Sequence, residues 1–82
     1  MWEVFGDVHQ SLMNWANSGR TNDSELDSAM RVARAIGRTS NKSMDDLTDS
    51  IEALKNSDDS NWEDFYMDAD DKLADAMAEF DD

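Results

Sequence analysis

Along the whole chain the large apolar residues return at intervals of three and four, with polar residues filling the gaps. This is the helical period and not the alternation of strands. With proline absent and three glycines present, the pattern predicts four helices. The first runs from about Trp2 to Asn17, with Trp2, Phe5, Val8, Leu12 and Trp15 on one face and Gly19 placed for a left-handed cap. The second begins after Asn22, whose side chain is expected to cap it with Glu25 reaching back. Its buried row is Leu26, Ala29, Met30, Ala33 and Ile36, and Gly37 is expected to weaken its end.

The third helix is expected to start at Ser43, capped there with Asp46 three residues on, and to bury Met44, Leu47, Ile51 and Leu54. The fourth, from Asn61 or Trp62 to Phe80, carries a wide apolar stripe of Trp62, Phe65, Tyr66, Ala69, Leu73, Ala76, Met77 and Phe80. Short polar connections between helices of this length favour antiparallel neighbours. The expected fold is therefore all-α, a compact antiparallel bundle of about four short helices in one domain spanning 1–82, with a three-helix core plus a loosely docked fourth helix as the variant.

Size and composition narrow the options. A domain of 82 residues buries only about 60 to 65 % of its unfolded surface, which makes stability marginal unless packing is good or a partner helps. Cysteine is absent, which excludes disulfides, thiolate metal sites and a cysteine nucleophile, and points to a reducing compartment. No basic leader with an apolar run opens the sequence, and no stretch approaches the ~20 apolar residues of a membrane span. A cytoplasmic location is expected.

Charge changes the picture most. Twenty acids face seven bases, for a net charge of −13. Fifteen of the acids are aspartate. Direct binding to nucleic acid or to an anionic membrane is disfavoured, since each needs a basic footprint. Three Trp, three Phe, one Tyr and six Met still supply enough apolar mass for a core, so the chain is expected to fold and not to stay disordered.

The acids are not evenly spread. Residues 1–38 hold five acids and four bases, whereas residues 39–82 hold fifteen acids and three bases. In the last helix Asp64, Asp68, Asp71, Asp75 and Glu79 follow at three- and four-residue steps, forming one row with Glu63 and Asp70 on its shoulders. Helix three offers the shorter row Asp45, Asp49 and Glu52, and Asp58 and Asp59 lie between the two helices. At ~1.5 Å per residue, the acids after residue 57 place roughly one charge every 3 to 4 Å. One DNA strand carries a phosphate about every 3.4 Å.

Such a row costs about 0.2 to 0.5 kcal/mol per like-charged pair, and Asp81 and Asp82 add negative charge at the negative end of the helix dipole. A marginally stable domain that tolerates this penalty is expected to use the row. Small acidic DNA-mimic proteins, directed against restriction, CRISPR, repair or transcription machinery and often virus-encoded, resemble this chain in charge balance alone. That resemblance of functional type implies an inhibitor whose acidic face, built from Asp45, Asp49, Glu52, Asp58, Asp59, Glu63, Asp64, Asp68, Asp71, Asp75 and Glu79, occupies the basic surface of a nucleic-acid-handling protein.

Three readings compete with it. The acids are a solvated surface, as in proteins adapted to high salt. Alternatively, the chain is an antitoxin, immunity-type or small-subunit module that binds through an apolar patch with an acidic rim; the three tryptophans read most simply as core, with Trp2 and Trp62 as an exposed anchor or homodimer seam in the alternative. An enzyme is the least expected, with no metal, cofactor or catalytic residue assigned.

His9 at the edge of helix one reads as a packed or half-exposed side chain, and Asp45 with Asp49 would need a pocket to separate their pKa values. The segment from Asp68 to Glu79 imitates a calcium loop, but Lys72 takes a ligand position and Leu73 replaces the turn glycine. No nucleophile elbow and no glycine-rich phosphate loop are present. Arg31, Arg34 and Arg38 form the single basic row, expected to pair with Asp27 and with a neighbouring acidic helix, or else to serve as a second contact surface.

Overall fold

The computed structural model describes residues 2–80, with side chains described for residues 5–79. Four helices follow one another, α1 (Trp2–Asn17), α2 (Asp23–Ser40), α3 (Asp45–Lys55) and α4 (Trp62–Phe80). Helix α1 packs on α2, α2 on α3, α3 on α4, and α4 closes back on α1. Among the described residues the diagonal pairs, α1 with α3 and α2 with α4, do not meet. This cyclic order is that of a four-helix bundle, and the fourth helix is an integral wall of it.

The predicted apolar rows form the core. Phe5, Val8, Leu12 and Trp15 from α1, Leu26, Ala29, Met30, Ala33 and Ile36 from α2, Met44, Leu47, Ile51 and Leu54 at α3, and Ala69, Leu73 and Ala76 from α4 are all buried. Each fully buried leucine or isoleucine among them contributes about 1.5 to 3 kcal/mol relative to exposure. The stripe of α4 is only partly inside. Trp62, Phe65, Tyr66 and Met77 pack against the core while half-buried. The packing of Trp2 and Phe80 and the dipole contribution of Asp81 and Asp82 lie outside the described residues.

The helix ends correct several details. Gly19 adopts φ +84° as expected, and Arg20 follows it at φ +61°. The Arg20 amide reaches back to the Trp15 carbonyl at 3.1 Å, the six-to-one bond of a Schellman turn. Asn22 flanks α2 but its side chain caps no backbone amide; instead it accepts the Ser24 hydroxyl. The small hydroxyl of Ser24 competes successfully for the Asn22 oxygen, so the expected box with Glu25 does not form.

Gly37 does not weaken the end of α2, which runs on to Ser40 and closes on Asn41 in the left-handed conformation. Its lack of a side chain serves packing: a Cβ there would stand 2.9 Å from the Lys42 carbonyl oxygen. At α3 the flanking residue is Met44 and not Ser43. The Ser43 hydroxyl still accepts the Asp45 amide at 3.3 Å, two residues on and not the three-residue reach of the expected box with Asp46.

Candidate acidic interface

The carboxylates singled out in the sequence fall on two helices and one turn, and every one is exposed. On α3, Asp45, Asp49 and Glu52 stand on the side opposite Leu47, Ile51 and Leu54. On α4, Asp64, Asp68, Asp71, Asp75 and Glu79 run along the outer face, opposite Ala69, Leu73 and Ala76. The separation is dictated by the helical period, which sends acids and apolar residues to different azimuths. From Asp64 to Glu79 the row extends over roughly 22 Å of axis at ~1.5 Å per residue.

The two acidic helices are adjacent and share contacts that hold part of the row in place. The Ser50 hydroxyl of α3 lies 3.0 Å from an Asp68 carboxylate oxygen and 2.9 Å from the Asp46 carbonyl, so its one proton serves both acceptors. Nearer the start of α3, Asp46, Asp75 and Glu79 line a groove of about 380 Å³ together with Lys72, Ser43 and Leu47. The structure thus adds Asp46, which sequence reading treated only as a capping partner. Its position was legible in principle, since it falls beside Leu47 at the α4-facing edge of α3.

Asp58 and Asp59 do not join this surface. Asp58 Oδ1 accepts the Ser60 amide at 2.9 Å and the Ser60 hydroxyl at 2.6 Å, and the Asp58 carbonyl accepts the Trp62 amide at 3.0 Å. These bonds build the turn into α4, and the two that the carboxylate accepts from Ser60, the hydroxyl's first, lower the Asp58 pKa below its ordinary value of 3.8. Asp59 meets Arg20, whose guanidinium lies 3.4 Å from its carboxylate and 4.6 Å above the Trp62 ring. Sequence reading missed Arg20, because its left-handed backbone and long reach across to the last loop carry no periodic signal.

Trp62 is consequently no exposed anchor. It stands edge-on to Trp15 and to Tyr66, each at 6.0 Å between centroids, beneath Arg20. Burial, with the nearby charge of Asp70, raises the Tyr66 pKa above 10.0.

The arginine row also departs from expectation. Asp27 is taken by Lys55 at 2.8 Å, and that contact raises the Lys55 pKa. Arg31, Arg34 and Arg38 have no carboxylate within ion-pair distance among the described residues. They line a groove of about 500 Å³ between α2 and the start of α3. Helix α3 lies between α2 and α4 in the cyclic order, so the arginine row shares no edge with the acids of α4.

The remaining candidates resolve simply. His9 is half-exposed and lies 3.7 Å from Asp70, bridging α1 to α4. The segment from Asp68 to Glu79 is uninterrupted helix, which removes the calcium-loop geometry. No group of acids and histidines among the described residues is arranged to hold a metal ion. No described helix is long and apolar enough to cross a membrane.

Comparison adds no relative to these observations. No protein-family model, no curated protein and no solved structure matches the chain.

Proposed function

We propose that the protein is an inhibitor that imitates nucleic acid, offering the acids of α3 and α4 to the basic surface of a DNA- or RNA-handling protein. The observation that carries this reading is the row on α4. Asp64, Asp71, Asp75 and Glu79 have no ion-pair partner among the described residues, although seven bases are present in the chain. Seven acids fall within the 19 residues of α4, roughly one charge per 4 Å of axis, a spacing close to that of phosphates on one strand. Short aspartate stems hold those charges near the backbone with few rotamers to freeze on binding.

The mechanism is competition. The negative field steers the protein to a cationic groove, speeds association and makes binding weaken as salt rises. The restriction, CRISPR, repair and transcription machineries are the target class, and a virus-encoded origin and a cytoplasmic location belong to the same proposal. The role is binding and not catalysis.

The test is capture from cell lysate at low salt by the immobilised protein, followed by elution with short duplex DNA, in parallel with the D64N/D68N/D71N/D75N variant. The expected result is a nucleic-acid-binding protein released by DNA and not retained by the variant. Equal capture by the variant overturns the proposal.

One observation supports a different reading. Phe5, Gly6, His9, Leu73, Ala74 and Met77 line a groove of about 280 Å³ between α1 and α4, with Asp70 at its rim, and Met67 is 65 % exposed. An interaction module using this apolar seam would keep its partner through duplex DNA and high salt.

A further inference from the structure

Four of the seven bases in the chain meet at one groove. Arg31, Arg34 and Arg38 descend α2 at steps of three and four residues, and Lys42 follows at the turn into α3. Asp45 is the one carboxylate among the described residues of the lining. Three guanidiniums with no carboxylate at ion-pair distance among the described residues are unexpected in a protein that holds 20 acids, because each pairing would relieve self-repulsion. Helices α2 and α4 do not meet among the described residues, although the Lys42 ammonium beside the groove donates to the Glu79 carbonyl of α4 at 3.0 Å, and the two grooves lie on either side of Ser43 and Met44, which line both.

What the fold separates within one molecule, two molecules can join. The three-then-four spacing of Arg31, Arg34 and Arg38 recurs at Asp68, Asp71 and Asp75. Read in the opposite direction, it recurs at Asp64, Asp68 and Asp71. Either orientation sets three arginines against three carboxylates on exposed faces, and guanidinium with carboxylate is the pairing that forms paired parallel hydrogen bonds. The near-neutral α1/α2 half of one molecule also presents the least repulsive surface to the acidic half of another.

We propose that the groove lined by Arg31, Arg34 and Arg38 is the docking site for the α4 acidic row of a second copy of this chain, so that the protein self-associates through unlike faces. This does not rest on the inhibitor reading and needs no target to be tested. It has a consequence for that reading: a row engaged by a neighbouring copy is withheld from any other partner, so active concentration would fall as the protein becomes crowded.

Salt dependence distinguishes this association from others. At about 0.01 M salt the screening length is ~30 Å, and the charges of −13 on each copy repel as wholes. At 0.1 M it is ~10 Å, which removes most of that repulsion while leaving contacts at 3 to 4 Å, and at 1 M it is ~3 Å and the contacts weaken too. Association is therefore strongest at intermediate salt, whereas apolar association would persist or strengthen at 1 M.

The experiment is analytical ultracentrifugation of the full chain from micromolar to millimolar concentration at these three salt levels. The expected result is a mass that rises with concentration at 0.1 M and returns toward the monomer at both extremes. In D64K/D71K/D75K the three reversals change the net charge from −13 to −7. General repulsion falls, yet self-association is expected to be lost because the row is gone. R31E/R34E/R38E is expected to lose it also, and an equimolar mixture of the two variants to regain it, since each keeps the row that the other lacks. D64N/D71N/D75N, with no new charge introduced, is expected to behave like the lysine variant.

A wild-type protein that stays monomeric at millimolar concentration in 0.1 M salt overturns the proposal. So does a lysine variant that associates as well as wild type, or association that strengthens at 1 M.

Discussion

The hydroxyl of Ser50 on α3 meets the carboxylate of Asp68 on α4 at 3.0 Å, the one side-chain hydrogen bond between these two helices among the described residues. It makes Asp68 the member of the acidic row with a side-chain tie to a neighbouring helix, while Asp64, Asp71 and Asp75 are exposed and have no ion-pair partner among the described residues. Replacing those three by asparagine removes all four consecutive like-charged pairs of the row, worth about 0.2 to 0.5 kcal/mol each. Loss of Asp64 from the first turn costs about 0.3 to 1 kcal/mol of favourable dipole interaction. Urea denaturation of D64N/D71N/D75N is therefore expected to show a net gain of about 1 kcal/mol at low salt that shrinks as salt is added. A loss of stability would mean that the row is not self-repulsive.

Two glycines are expected to respond in opposite ways to one added methyl group. Gly6 is exposed within α1 and a Cβ there meets nothing within 4 Å, so Gly6→Ala should stabilise by about 0.5 to 1 kcal/mol through backbone entropy. At Gly37 the same change sets a Cβ 2.9 Å from the Lys42 carbonyl oxygen and 3.3 Å from Met44 Cγ. The strain of such overpacking, about 1 to 3 kcal/mol, outweighs the gain in helix propensity, and Gly37→Ala should lower the melting temperature.

Arg20 and Asp59 form an ion pair whose two ends are unequal. The Asp59 side chain is 93 % exposed, so Asp59→Ala should change stability by less than about 0.5 kcal/mol. Arg20 also covers the Trp62 ring, and Arg20→Ala should cost about 1 kcal/mol while shifting tryptophan emission to longer wavelength as water reaches the indole. Equal effects of the two substitutions would assign the stabilisation to the ion pair and not to the stacking.

Leu73 is 2 % exposed, whereas Phe65 is half-buried at the edge of the core. Leu73→Ala should cost about 2 to 5 kcal/mol and Phe65→Ala distinctly less, despite its larger side chain. Thermal denaturation followed by circular dichroism ranks the two. The reverse order would place the axis of α4 in a different rotation.

Apart from Trp2, which lies outside the described side chains, periodicity made the buried rows of α1, α2 and α3 legible residue by residue, because each of those helices exposes one face and buries the other against two neighbours. It overstated α4. The stripe from Trp62 to Met77 is wider than the face that α3 and α1 can cover, so its aromatic residues near the start remain half-buried. Helix ends were less legible: at Asn22 a nearby hydroxyl competes for the capping oxygen, and at Gly37 a close backbone approach looks in sequence like a helix breaker.

The acidic row could be read from spacing alone, but its limits could not. Asp58 looks like a member until the turn it builds with Ser60 is seen, and Asp59 until Arg20 reaches it across 39 positions of sequence. The isolation of Arg31, Arg34 and Arg38 depends on which helices are neighbours. No local pattern encodes that order.

Core and charge are carried by disjoint sets of residues: not one of the exposed row positions on α4 contributes an atom to the cluster around Leu73 and Ala69. Substitutions on that outer face, Asp68 with its bond to Ser50 apart, can therefore accumulate, shift in spacing or reverse in sign without leaving a cavity in the core. A protein organised in this way has wide mutational latitude, since its surface charge can be rewritten while the buried residues that specify the fold are left untouched.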